Sequence, residues 1–270
     1  MSRVKIGIIG CLGRMGQALT TAVLDQEDAT LVGATEMVGN TSIGQQLKHP
    51  NTGELTDIVI TTDTDKLIMD ADVVLDFTCP TATVNHANIA AQNGTSLVVG
   101  TTGLSDDEEA SLKIAAEQAS IVYASNYSPG VNLLLHLTKI ASTVLNDDFD
   151  IEIVEMHHRD KIDAPSGTAL SIGQAAAEGR GKILNDIMDA GRDGVTGARK
   201  AGDIGFASLR GGNVAGDHTI SFNANDERIE FTHKAGDRSI FARGAVKAAL
   251  WVSRKKVGLY DMSDVLGLQT

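Results

Sequence analysis

Apolar positions in the first half of the chain follow two alternating rhythms, short continuous runs and longer stretches spaced by three and four. Runs of strand type fall at 4–9, 30–35, 73–77, 96–99 and 121–124, and helical spacing fills 18–24, 81–93 and 106–119. A continuous apolar run suits a strand buried on both faces, while three-and-four spacing suits a helix with one apolar face. Strand and helix in regular succession predict an α/β fold, a parallel doubly wound sheet of Rossmann type.

The rhythm changes at 125–130, Ser-Asn-Tyr-Ser-Pro-Gly, a turn-rich stretch that predicts a hinge. Beyond it lie a long amphipathic helix at 131–145, a strand starting at Ile151, a helix over 168–177, and strand-like runs at 206–210, 218–223 and 227–234. This pattern predicts an α+β unit whose sheet is mostly antiparallel. The Gly-rich segment 179–202, with Arg180, Lys182, Arg192, Arg199 and Lys200, reads as a mobile surface loop. The last apolar helix, 241–252, needs a partner for its apolar face and is assigned back to the first domain together with the tail. The expected domains are therefore 1–127 with 239–270, and 128–238.

Composition narrows the function classes. With 270 residues, 42% of them hydrophobic, two domains are affordable. A formal net charge of −12 and the lack of a long Lys/Arg run argue against a nucleic-acid partner. No apolar stretch approaches a membrane span and the N-terminus has no signal-peptide pattern, so a cytoplasmic protein with no membrane partner is expected. Cys11 and Cys79 lie far apart in no metal spacing and read as small buried side chains.

The first strand runs into Gly10-Cys11-Leu12-Gly13-Arg14-Met15-Gly16 and then a helix. Glycines at these spacings permit a tight turn, close approach of a pyrophosphate and packing of helix on strand, with the helix N-terminus facing the phosphates. Leu12 stands where the commonest fingerprint has Gly. The second strand ends in Glu36, twenty residues past Gly16, where an acidic side chain would bind the adenine ribose hydroxyls. Met37 follows and offers no cation to a 2′-phosphate, so NADH is expected over NADPH, with Arg14 the residue that could reverse this. Other strand ends carry Phe77-Thr78, Gly100-Thr101-Thr102-Gly103 and Ser125-Asn126-Tyr127, the further cofactor-lining candidates.

The densest chemistry is Glu155 through Ala169, Glu-Met-His-His-Arg-Asp-Lys-Ile-Asp-Ala-Pro-Ser-Gly-Thr-Ala, on a strand-loop-helix turn. Pro165 and Ser166 precede the helical pattern, so the backbone N–H groups of Ser166, Gly167 and Thr168 can converge on a carboxylate. His157, His158, Arg159 and Lys161 concentrate positive or protonatable groups in an acidic chain, which points to a small anionic acid as ligand. Adjacent histidines without nearby Cys do not match a zinc motif, and no metal is expected. Arg238, just before the last long helix, is a candidate second anion clamp.

These motifs together, over essentially the full length, resemble the 4-hydroxy-tetrahydrodipicolinate (dihydrodipicolinate) reductase family, with Asp76-Phe77-Thr78, Asn126-Tyr127-Ser128 and above all Glu155 through Thr168 carrying the likeness. The resemblance implies hydride transfer from a reduced nicotinamide to a cyclic imine dicarboxylate with loss of water, in diaminopimelate and lysine biosynthesis. It implies His157 as proton donor or acceptor, Lys161 as proton donor, and His158 with the Gly167 and Thr168 amides as carboxylate ligands, assisted by Arg238. It further implies a homotetramer built through the sheets of the second domain. Members that use NADPH well commonly carry a cation after the ribose-binding acid, and Met37 departs from that. Two competing readings are another two-domain reductase or dehydrogenase acting on a sugar or a semialdehyde, of which a semialdehyde dehydrogenase would need a thiol nucleophile in the substrate half, and an NADH-binding redox-sensing regulator, which would not need His157 and Lys161 beside an anion-binding turn.

Overall fold

In the computed structural model, which describes residues 2–145 and 147–268, the chain divides into two compact units. One comprises Met1–Ser128 with Ser239–Thr270, the other Pro129–Arg238.

The first unit opens with β1 (Val4–Ile9), α1 (Arg14–Leu24), β2 (Ala29–Thr35), β3 (Gln46–Lys48), β4 (Leu55–Thr61) and α2 (Thr64–Asp70). It continues with β5 (Val73–Asp76), α3 (Pro80–Asn93), β6 (Ser96–Val99), α4 (Asp106–Ala115) and β7 (Ser120–Tyr123). The second unit contains α5 (Pro129–Val144), β8 (Asp150–His157), α6 (Gly167–Gly179), α7 (Leu184–Ile187), β9 (Met188–Asp189), β10 (Ile204–Arg210), β11 (Asp217–Asn223) and β12 (Arg228–Lys234). The chain then returns to the first unit with α8 (Ser239–Val252), β13 (Gly258–Tyr260) and α9 (Met262–Leu266).

Eight strands form the first sheet in the order β13-β7-β6-β5-β1-β2-β4-β3, parallel throughout except for β3 against β4. The apolar runs are continuous because both faces are covered. Ile6, Ile8, Val73, Leu75, Val98 and Val122 pack toward Leu19 and Val23 of α1 and Ala245, Ala249 and Val252 of α8. Ile9, Val74, Leu97, Val99 and Ile121 pack toward Ile68, Ala87, Ala90 and Leu112 on the opposite face. Chain order reverses between β1 and β5, the crevice where doubly wound sheets take their ligands. Residues 46–70 hold β3, β4 and α2, which periodicity did not predict, and α4 stops at Ala115, short of the expected residue 119.

The second sheet has the order β12-β11-β8-β10-β9. It is mixed and not mostly antiparallel: β11 pairs antiparallel with β8 and β12, whereas β10 runs parallel to β8 and β9. The reason is that α6 and α7 carry the chain back across the sheet, a crossover that leaves β10 parallel to β8. Ile151, Ile153, Ile204, Ile220 and Phe222 share one face and bury it against Leu134 of α5 and Ala169, Ile172 and Ala176 of α6. Gly173 allows this approach, since a Cβ there would lie 2.4 Å from the Phe206 ring. The expected loop at 179–202 contains α7 and β9, and ion pairs anchor it: Arg192 to Asp189 and Glu152, Arg199 to Asp150 and Glu152, Lys182 to Asp147.

Candidate active site

The second unit builds its site on the alternation of β8. Side chains of a strand point to opposite faces in turn, so Ile151, Ile153, Glu155 and His157 share the inward face. The first two belong to the apolar core; the next two bring a carboxylate and an imidazole to its edge. Glu155 is 1% exposed and His157 9%. His157 Nδ1 lies 2.6 Å from Glu155 Oε2. The Arg210 guanidinium, at the end of β10, grips both carboxylate oxygens at 2.9 Å, and Ser166 N donates to Oε1 at 3.2 Å.

These contacts decide protonation. Burial pushes the Glu155 carboxyl up, but hydrogen bonds from Arg210, His157 and Ser208 outweigh it and hold the group below the ordinary carboxylate range. An ionised carboxylate only accepts hydrogen bonds, so Nδ1 of His157 carries the proton that faces it and Nε2 is the nitrogen free to exchange one. His218 of β11 stands edge-on to His157, ring centroids 5.1 Å apart, and its Nε2 meets Ser166 Oγ at 3.0 Å. Burial, helped by the neighbouring His157, pushes His218 down to about 4, so it is neutral at neutral pH. His157 is thereby flanked by one uncharged ring and one paired carboxylate.

The chain after β8 turns through exposed Arg159 and Asp160 and presents Lys161, whose Nζ pairs with Asp163 at 2.8 Å. That ammonium holds the Asp163 carboxyl below its usual range. His158 is half-buried at the strand end. Ser166 caps α6, its Oγ accepting from Ala169 N at 3.2 Å. The Ser166 amide is therefore not a ligand donor as expected, because Glu155 already takes it. Gly167 is exposed and a Cβ there would meet nothing within 4 Å, so the helix start stays open to a ligand. Arg238 is exposed on the segment after β12.

In the first unit, β1 delivers Gly10, whose φ of 72° is the left-handed conformation glycine adopts without strain. Gly16 is the packing glycine: a Cβ there would sit 2.0 Å from Gly10 O and 2.7 Å from the Cys11 backbone. Helix α1 starts after Gly13 with no capping side chain and no acidic residue in its first turn, which leaves its N-terminus suited to an anion. Glu36, at the end of β2, accepts from Leu12 N at 3.0 Å and from Met37 N at 2.9 Å, tying the turn to the strand end. Each of its oxygens retains a further lone pair for a ribose hydroxyl. Arg14 and Met37 are both exposed at this rim; Met15 is half-buried.

Across the switch point, Thr78 donates to Asp76 Oδ1 at 2.6 Å while Asp76 Oδ2 meets His86 Nδ1 at 2.8 Å. Thr101 Oγ1 accepts from Thr78 N at 3.0 Å and from Thr83 at 2.8 Å. This buried network locks the ends of β5 and β6 together. Gly100 lies under the Phe77 ring, which a Cβ would strike at 1.9 Å, and Phe77 packs on Tyr127 at 5.3 Å between centroids. Tyr127 is buried with its hydroxyl on the carbonyls of Val99 and Val122, so its side chain is scaffold. Cys11 is buried, its thiol pushed up to about 11 by that burial; Cys79 is exposed, against expectation. Thr102 and Ser125 are exposed at the strand ends, and Asn126 is half-buried, accepting from Ser128 N at 2.9 Å.

Sequence reasoning did not single out Glu155 as the partner of His157, nor Arg210, His218, Asp76 or His86 as site residues. For Glu155 the two-residue spacing to His157 was a readable signal. Arg210 and His218 come into place only through strand register, Arg210 opposite His157 and His218 opposite Glu155.

Two family models match the chain, the N-terminus of dihydrodipicolinate reductase over residues 4–127 and its C-terminus over residues 130–266. Among curated relatives, the 4-hydroxy-tetrahydrodipicolinate reductase of Ruegeria sp. (strain TM1040) is 51% identical over 97% of this chain and 98% of its own. That of Rhodopseudomonas palustris (strain BisA53) is 53% identical over 99% and 98%. A solved structure, dipicolinate-bound dihydrodipicolinate reductase from Paenisporosarcina sp. TG-14, superposes with a TM-score of 0.79 at 27% identity, covering 96% of this chain and 97% of that one. A glycine-rich turn with a strand-end acid in one unit, a carboxylate-held histidine beside an open helix start in the other, and matches spanning both halves lead to one conclusion: the chain belongs to the dihydrodipicolinate reductase family of nicotinamide-dependent oxidoreductases.

Proposed function

We propose that this protein reduces 4-hydroxy-tetrahydrodipicolinate to tetrahydrodipicolinate, taking up a hydride and a proton and releasing water, in diaminopimelate and lysine biosynthesis. The observation that carries this reading is the buried Glu155–His157 pair at the end of β8, next to the N-terminus of α6. The relative whose structure holds dipicolinate is a precedent for a planar dicarboxylate ligand in this fold.

A reduced nicotinamide supplies the hydride; Gly10, Cys11, Leu12, Gly13, Arg14 and Met15 would hold its pyrophosphate, and Glu36 the adenine ribose. Phe77, Gly100, Thr101, Thr102, Ser125, Asn126 and Tyr127 line the remaining strand ends. Glu36 followed by Met37 favours NADH, since a 2′-phosphate would meet a carboxylate and no cation from that position. One carboxylate of the substrate is held by His158 and the Gly167 and Thr168 amides, where the α6 dipole adds to the attraction, with Arg238 as a second cation. His157 Nε2 exchanges a proton with the substrate. Lys161 leaves Asp163 to meet the negative charge that develops on the ring as hydride arrives. The exposed face of the second sheet presents Val154 and Leu209, apolar side chains that the homotetramer would cover.

The test is turnover of freshly generated substrate with NADH and with NADPH. Oxidation of the cofactor only when substrate is present, faster with NADH, supports the reading; bound NADH without turnover would contradict it.

A further inference from the structure

The Glu155 carboxylate does more than face one imidazole. Its Oε2 accepts from His157 Nδ1 and from Arg210 Nη1, and its Oε1 accepts from Arg210 Nη2 and the Ser166 amide, so each oxygen carries at least two donors. Arg210 Nη2 also donates to the carbonyl of Asp163 at 2.6 Å, on the loop that carries Lys161. A single ion pair thus touches the strand that bears His157, the loop that bears Lys161 and the first turn of α6. All three belong to different local structures; the backbone bond from Lys161 N to the His158 carbonyl, 3.2 Å, ties the loop to the strand end but does not reach α6.

We infer that Glu155 and Arg210 are the positioning residues of this site: they touch neither hydride donor nor acceptor, and they hold the proton-exchanging imidazole, the lysine loop and the anion-binding helix start in one arrangement. The inference rests on the functional reading given above for His157 and Lys161. A carboxylate is required because donors converge on both of its oxygens; a carboxamide would turn its NH2 toward an N–H on one side, whichever way it is flipped. The guanidinium is required because its fork reaches both oxygens and the Asp163 carbonyl at once, which an ammonium cannot do. Arg210 also keeps Glu155 from acting as a base in its own right, so within this pair the proton is exchanged at His157 Nε2.

The test is a double-variant cycle on the full-length protein with Glu155→Gln, His157→Gln and the pair, reading kcat, KM and Tm. Positioning through His157 predicts that Glu155→Gln lowers kcat at least about 10-fold and that the same substitution costs less than about 3-fold once His157 is already Gln. Losses that multiply, or a Glu155→Gln variant with full kcat beside an impaired His157→Gln, would overturn the inference and leave the functional reading standing. An unimpaired His157→Gln would overturn the role given to His157, and this inference with it, while leaving the reaction standing. If Glu155→Gln does not fold, Arg210→Lys serves in the same cycle, because Arg210 lies at the edge of the cluster, with its side chain 21% exposed, and keeps its charge. It should lower kcat in the wild-type background and lose most of that effect in His157→Gln; an unchanged kcat in Arg210→Lys would refute the positioning role.

Discussion

The buried His218 makes the stability of the second unit depend on pH in a way that can be calculated. In the unfolded chain this imidazole titrates near its ordinary 6.5, and in the fold burial brings it down to about 4. Between those values the unfolded state binds a proton that the folded state does not, so stability is complete above the upper value and falls as pH drops through the window. Each unit of pH within it removes about 1.4 kcal/mol, so the whole window is worth about 3 kcal/mol, of which about 2 kcal/mol is lost between pH 7.5 and 5. His218→Gln keeps an amide nitrogen near the position of Nε2 for Ser166 Oγ and has nothing to titrate. Hydrogen exchange of the β11 amides in urea is the suitable assay, because Trp251 lies in the first unit and its fluorescence would report the other core. The wild type should lose about 2 kcal/mol more than His218→Gln over that pH range. Equal pH slopes in the two proteins would refute the reasoning and mean that His218 charges readily in the fold.

Three further outcomes follow from the geometry. Gly16→Ala places a methyl 2.0 Å from Gly10 O; it should weaken NADH binding at least about 10-fold by fluorescence titration and cost about 1–3 kcal/mol of stability, and unchanged affinity would show that the turn has slack. Lys161→Ala should lower kcat about 100-fold with a smaller change in KM, and full turnover would remove Lys161 as the acid. Met37→Arg, at an exposed rim position, should move the ratio of kcat/KM for NADPH over NADH upward about 10-fold, the worth of one charge-assisted hydrogen bond; an unmoved ratio would place 2′-phosphate discrimination elsewhere.

What could be read from the chain depended on how strongly each element buries its side chains. Strands β1, β5, β6 and β7 are covered on both faces and announced themselves as continuous apolar runs. In β4 only Ile60 is buried and in α2 only Leu67 and Ile68, too little periodicity to mark elements between Glu36 and Val73. In the second sheet the strands after residue 204 are spaced like hairpins, which reads as antiparallel, while β8 reaches β10 by a helical crossover that makes that pair parallel. The site divides in the same way. His157, Lys161 and the α6 start are neighbours in sequence and stood out together, whereas Arg210 and His218 are brought in by register with β8 from more than fifty residues away. An isolated Arg or His in a strand of alternating pattern carries no local mark of that partnership. Ser166 shows the opposite error: local logic made its amide a ligand donor, and a carboxylate eleven residues upstream had already engaged it.

The role proposed for His157, held by Glu155, in the reduction of 4-hydroxy-tetrahydrodipicolinate has a direct test. The most direct measurement is steady-state oxidation of NADH by the wild type and by His157→Gln, with substrate generated in place from pyruvate and aspartate semialdehyde by the preceding synthase. Substrate-dependent turnover in the wild type, reduced at least about 100-fold in a folded variant that still binds NADH, is the predicted result. Turnover in His157→Gln equal to wild type would contradict the assigned site, and its absence in a folded, NADH-binding wild type would contradict the assigned reaction.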